Sequence, residues 1–251
     1  MKSFLSAVAL ALATLAGSAL AADVPSVKAK NVVLVHGAWA DGSSWADVIP
    51  YLRAAGLHVT SVQNPLTSLD DDAAAVRRAL ALQDGPTVLV AHSYGGSVIS
   101  EVGGEPKVSA LVYVAARAPD AGEDFGALAS KFPTMPVRAG LQEHDGFVMV
   151  SEDAFLNYFA DGVPTEKAKS LFSVQQPIAK NLFTGKTTTA AWKLKPSWYV
   201  VSQKDNTTSP DLQRYLAARM KAHTIEVESG HLSLVSHPQE IAKAILAATQ
   251  Q

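Results

Sequence analysis

The residues best suited to chemistry begin at Ser93, in the run Ala91-His92-Ser93-Tyr94-Gly95-Gly96. It lies between an apolar stretch, Thr87 to Ala91, and a helical pattern that opens at Tyr94. A serine at the apex of a strand-to-helix turn holds its hydroxyl clear of the backbone, and small residues two before and two after it let strand and helix close up behind. A serine hydroxyl is a poor nucleophile at neutral pH, so this reading requires an imidazole base and a carboxylate to fix the imidazole's tautomer. Of the seven histidines, only His231, in Ser229-Gly230-His231-Leu232-Ser233, sits in a glycine-loosened loop after the final strand-like run. His58 and His223 begin strands, His237 precedes Pro238, His144 lies in a long insertion and His92 flanks the nucleophile. For the acid, Asp205 follows the run Ser197 to Ser202, and Asp120, after the run Val108 to Val114, is its competitor.

Acyl transfer also needs donors aimed at the developing oxyanion. The loop His36-Gly37-Ala38-Trp39 follows the first strand-like run, and with the residue after the nucleophile it offers two backbone N–H groups, those of Ala38 and Tyr94. Gly37 leaves room beside the reacting centre, and Trp39 is expected to line an apolar substrate pocket. His36 reads as a hydrogen bonder that fixes this loop.

These loops need a rigid frame, and the pattern of strands and helices supplies one. Short β-branched or aromatic runs at Asn31 to Val35, His58 to Val62, Thr87 to Ala91, Val108 to Val114, Ser197 to Ser202 and His223 to Val227 read as buried strands. Helical patterns lie between them at Trp45 to Ala55, Asp70 to Leu82, Tyr94 to Val102, Pro210 to Lys221 and Pro238 to Thr249. Strand alternating with helix predicts an α/β domain, its mostly parallel sheet of about six strands covered on both faces. The alternation breaks over about 119–192, where no strand is evident and aromatic residues are scattered among Pro, Gly and charges. More than about 15 residues is too long for a structureless connection in a compact domain, so this stretch is expected to form a helical cap.

Composition narrows the function. With 48% hydrophobic residues and 251 in all, the chain can bury one full core. Lys and Arg (21) nearly balance Asp and Glu (23), which argues against nucleic acid or an anionic membrane as partner. The absence of cysteine removes disulfides, thiolate nucleophiles and zinc–thiolate sites. At the N-terminus Lys2, an apolar run from Phe4 to Ala16 and Ala19-Leu20-Ala21 have the form of a signal peptide, residues 1–21, cleaved after Ala21. A single domain over 22–251, periplasmic or secreted and without stable membrane association, is the expectation.

The chain from Asn31 onward resembles the α/β-hydrolase superfamily, most closely its small esterase and hydroxynitrile-lyase-like branch. The likeness is carried by VLVHGAW, AHSYGG, LVYVAARAP, AWKLKPSWYVVSQKD and SGHLSLVSHPQEIA. The order Ser93, Asp205, His231 is also that of this fold. Thr208 departs from the family pattern, which implies an aliphatic residue there. The resemblance implies a cofactor-free, metal-free serine hydrolase with a six- to eight-stranded sheet, the smaller number fitting the short segment before Asn31. Hydroxynitrile lyases of this branch carry a threonine after the first-loop histidine and a lysine after the catalytic one, whereas this chain has Gly37 and Leu232. A serine at the elbow also sets it apart from the dehalogenases and epoxide hydrolases, which use aspartate. The expectation is hydrolysis of a small to medium uncharged carboxylic ester through an acyl-enzyme. Perhydrolase activity on the same triad and a triad-bearing ligand receptor with slow turnover stand as alternatives.

Overall fold

The structure, a computed structural model, describes residues 28–251. The expected signal segment, 1–21, lies outside the described residues. Nine strands and nine helices follow in chain order: β1 (Asn31–Val35), α1 (Ile49–Ala54), β2 (His58–Val62), α2 (Leu69–Ala81), β3 (Thr87–His92), α3 (Gly95–Val102), β4 (Val108–Val114), α4 (Phe125–Ala129), β5 (Leu141–His144), β6 (Phe147–Val150), α5 (Glu152–Ala154), α6 (Thr165–Ser173), β7 (Ile178–Ala179), β8 (Ser197–Ser202), α7 (Pro210–Met220), β9 (His223–Val227), α8 (Ser233–Ser236) and α9 (Pro238–Ala248).

Six strands form one sheet in the order β2-β1-β3-β4-β8-β9, and every pairing is parallel. The inner strands β1, β3 and β8 are buried end to end and β4 at all but Ser109, which is why their sequences read as largely apolar runs. The outer strands are less buried than the sequence suggested, β2 being mostly half-buried and β9 exposed up to Val227, because each has a neighbour on only one side. Helices α2 and α3 pack together against one part of the sheet, while α1 and α9 pack together against another. Strand order starts at β1, runs outward to β2 and then returns past β1 to β3. This reversal leaves the carboxyl ends of β1 and β3 beside a crevice, the usual place for a ligand in such a sheet.

Two expectations need correction. The helix expected over Trp45 to Ala55 is divided into a 3-10 turn at Gly42–Trp45 and α1 at Ile49–Ala54. Pro50 falls in the first turn of α1, where its missing N–H costs nothing. The insertion between β4 and β8 is not purely helical either: β5, β6 and β7 make a small antiparallel sheet. His144 pairs with Phe147 across the two-residue loop Asp145-Gly146, whose φ angles are both positive, 49° and 80°. Asp-Gly is a favoured dipeptide for such a tight hairpin. In the rest of the insertion, Phe155 packs against both Phe159, tilted, and Phe172, edge-on.

Candidate active site

Ser93 opens the turn between β3 and α3 with φ at 53°, a left-handed conformation that a side-chain-bearing residue adopts only when its surroundings impose it. The surroundings here are specific. Ser93 N–H donates to Val114 O (3.1 Å), and the Ser93 carbonyl accepts from Gly96 N (3.1 Å) and Arg117 N (2.9 Å). A Cβ on Gly96 would lie 1.9 Å from Arg117 O, and one on Gly95 would lie 2.7 Å from His36 O. The two glycines therefore allow α3 to start directly against the ends of β1 and β4.

From Ser93 a line of hydrogen bonds runs through His231 to Asp205. Ser93 Oγ is 2.9 Å from His231 Nε2, and His231 Nδ1 is 2.7 Å from Asp205 Oδ2. His231 and Asp205 are fully or almost fully buried, while Ser93 keeps 9% exposure. Asp205 Oδ1 accepts from Thr207 N (2.7 Å) and Thr208 N (2.8 Å), and Oδ2 also accepts from Gln213 Nε2 (2.7 Å). Thr208 serves Asp205 through its backbone, so its departure from an aliphatic type leaves these bonds intact. Asp120 is elsewhere: its carboxylate binds Lys193 Nζ at 2.6 Å on the surface, and that partner lowers its pKa.

Three other histidine contacts set the electrostatics. His36 Nε2 accepts from Asn64 N (3.2 Å), so its proton is on Nδ1, which donates to Gly37 O (2.9 Å). Burial lowers its pKa and keeps it neutral, which suits a loop-fixing role. His92 packs 4.6 Å from the His231 ring and donates from Nε2 to His231 O (3.0 Å). Burial foremost, and then the neighbouring His231, hold its pKa well below the ordinary value. The Phe159 ring also lies 5.2 Å from His231. His231 thus contacts both an imidazole that stays neutral and a phenyl ring.

The first-strand loop meets this line at close range. A Cβ on Gly37 would stand 2.7 Å from Ser93 Cβ and 3.1 Å from His92 Nδ1, so the space that Gly37 leaves is filled by Ser93 and His92 rather than open to a substrate. The loop that carries Ala38 therefore runs against Ser93 at Gly37. Trp39, at φ 57°, donates its indole N–H to Val148 O on β6 (3.0 Å) and contacts Phe159 and Phe183. Trp39, Phe155, Phe159, Leu171 and Leu232, with Asp41 and Ser44, line a crevice of about 10 Å³ whose lining includes neither Ser93 nor His231. Arg117 fixes the other flank: its guanidinium lies over the rings of Tyr94, Phe125 and Phe183 and donates to Leu182 O (3.1 Å). Burial brings its pKa down to about 10, which still leaves it charged at neutral pH.

Gln213 and the His92 contact escaped the sequence reading. A signal for Gln213 exists: it falls on the apolar stripe of α7 with Leu216, Ala217 and Met220, a polar residue where core is expected. Among the described residues no group of His, Asp and Glu is arranged to hold a metal, and no helix is long and apolar enough to cross a membrane.

Comparison with known proteins agrees with the geometry. Residues 32–244 match the model of the alpha/beta hydrolase family. A carbendazim hydrolyzing esterase of Nocardioides sp. (strain SG-4G) is 34% identical over 133 residues, 47% of this chain and 53% of that esterase. The chain thus aligns with about half the length of that relative. Esterase PIR7B of Oryza sativa subsp. japonica is 24% identical over 262 residues, covering 89% of this chain and 97% of its own. Among solved structures, polyneuridine aldehyde esterase shares the fold, with a TM-score of 0.74 at 20% identity over 87% of this chain and 98% of that one.

Proposed function

Since the chain belongs to the alpha/beta hydrolase family, we propose that it is an exported serine esterase, acting on a small to medium carboxylic ester without a cofactor. The observation that carries this reading is the hydrogen-bonded line Ser93–His231–Asp205, at 2.9 and 2.7 Å, starting from a serine in a strained turn. Ser93 Oγ attacks the ester carbonyl as its proton passes to His231 Nε2, and the charge that develops on the carbonyl oxygen is met by the N–H groups of Ala38 and Tyr94. Asp205 holds the proton of His231 on Nδ1 and stabilises the imidazolium. His231 then returns its proton to the departing alcohol, leaving an acyl group on Ser93. Water, deprotonated by the same imidazole, attacks the acyl carbon, and His231 returns that proton to Ser93 Oγ as the acid leaves.

The aromatic surroundings, Trp39, Phe159 and Phe183, support an apolar acyl or alcohol group. The names of the relatives, both esterases, favour hydrolysis over cyanohydrin cleavage. Leu232, buried beside His231, offers no positive charge for a departing cyanide. The signal-like segment 1–21 supports a periplasmic or secreted location. The test is a panel of p-nitrophenyl esters of increasing acyl length assayed beside mandelonitrile, with Ser93→Ala as blank. Serine-dependent ester turnover well above mandelonitrile cleavage is expected. Mandelonitrile cleavage equal to or faster than ester turnover would overturn the esterase reading, and binding without turnover would favour a receptor.

A further inference from the structure

We infer that Gln213 is a positioning residue for the acid of the triad, holding Asp205 in the one orientation that keeps the His231 proton on Nδ1. The inference rests on the triad reading above and deepens it. Gln213 is completely buried in the first turn of α7, fixed by its own N–H on Ser209 O at 3.0 Å. Its side chain makes three hydrogen bonds: Oε1 accepts from Ser202 N (2.9 Å), while Nε2 donates to Asp205 Oδ2 (2.7 Å) and Thr208 O (2.9 Å). The Ser202 N–H can only donate and the Thr208 carbonyl can only accept, so the amide orientation is determined without reference to Asp205. A donor is thereby presented to Asp205 Oδ2 by the framework itself.

The consequence follows from counting acceptor sites. An ionised carboxylate has about four lone-pair sites. Thr207 N, Thr208 N, Gln213 Nε2 and His231 Nδ1 fill four. The two Thr N–H groups fix Oδ1, and Gln213 shares Oδ2 with His231. The Gln213 donor prevents rotation of the carboxylate and keeps Oδ2 turned to the His231 Nδ1–H, so that this nitrogen stays the donor. Gln213 touches no substrate; it acts through Asp205.

Two variants test this. Gln213→Met keeps length and removes all three bonds; kcat for p-nitrophenyl acetate is expected to fall about 10- to 100-fold, the scale of a lost hydrogen bond to a charged group, with KM within about twofold. Gln213→Glu is the sharper probe. While protonated, the introduced carboxyl can still accept from Ser202 N and donate to Asp205 Oδ2. Once ionised it sets a like charge 2.7 Å from that oxygen. Other titratable groups around the network, namely His231, His92, Tyr199 and, through Asn206, Asp161, are the same in both proteins. The variant's kcat/KM should therefore acquire a new descending limb as pH rises, which a loss of packing alone would not create. A Gln213→Met kcat within threefold of wild type, or a Gln213→Glu profile of wild-type shape at lower amplitude, would overturn the inference. Should Gln213→Glu not fold, the kcat and KM of Gln213→Met decide. Wild-type protein without serine-dependent turnover would instead refute the triad reading itself.

Discussion

Replacing Asp205 by Asn changes one atom's chemistry and little volume, yet the local bonds leave it no good orientation. If the amide oxygen keeps Thr207 N and Thr208 N, now at 2.7 and 2.8 Å from Asp205 Oδ1, the NH₂ group must face both His231 Nδ1 and Gln213 Nε2. Two donors then oppose each other, and His231 must accept at Nδ1. Its proton moves to Nε2, the nitrogen 2.9 Å from Ser93 Oγ, where a base is needed. In the reverse orientation the NH₂ meets two backbone N–H groups and both of those bonds are lost. Either way the base is disabled or the loop loosened, and kcat should fall by on the order of 10³ to 10⁴, about 4 to 5.5 kcal/mol of barrier. The control is Asp120→Asn, which breaks only an exposed pair with Lys193 and should stay within about threefold. The assay is kcat on p-nitrophenyl acetate, with thermal unfolding to verify that both variants fold. An Asp205→Asn loss below tenfold, or a larger loss in Asp120→Asn, would refute the assignment of the acid.

Gly96→Ala should yield little soluble protein or a sharply lower Tm, because the new Cβ would meet Arg117 O at 1.9 Å, whereas Gly104→Ala, whose Cβ would have only Leu194 Cδ1 at 3.6 Å, should express and melt normally. Asp72 is buried, and burial raises its pKa from 3.8 to about 6 although it accepts from Tyr94 OH and Leu66 N. Its protonated form therefore favours the folded state below about pH 4, and that advantage is lost as pH rises through 6. Urea unfolding should show wild type gaining about 2 kcal/mol on Asp72→Asn between pH 7.5 and 4.5, and a constant difference would show that Asp72 titrates normally. Export should leave an N-terminus at Ala22, measured by intact mass, while a retained Met1 in the membrane fraction would indicate an anchor.

Much of the site was legible because its parts are local in sequence. The strand Thr87 to Ala91 runs straight into Ser93 and the paired glycines, so the turn and its chemistry share one short segment. His231 and Asp205 stood out as polar residues in loops directly after strands, and the spatial order of β8 and β9 at the sheet edge brings those loops together. The insertion was less legible. Its β5–β6 hairpin rests on the Asp145-Gly146 turn and on pairing with β7, far along the chain, rather than on any strong alternation within four-residue strands. Gln213 was invisible for another reason: its role depends on three partners, Ser202, Asp205 and Thr208, that only the folded loop assembles. Gly37 drew notice for its missing side chain, while the neighbour that fills that space, Ser93 itself, is known only from the packing.

The central claim, that Ser93 is an activated nucleophile, is tested most directly by covalent labelling. The native protein is incubated with a fluorophosphonate, and intact mass and peptide mapping locate the adduct. One adduct per chain on the peptide bearing Ser93, absent in Ser93→Ala and slowed in His231→Ala by on the order of 10³-fold or more, is expected from a serine activated by its neighbouring imidazole. No labelling of the folded protein, or labelling that persists in Ser93→Ala, would contradict it.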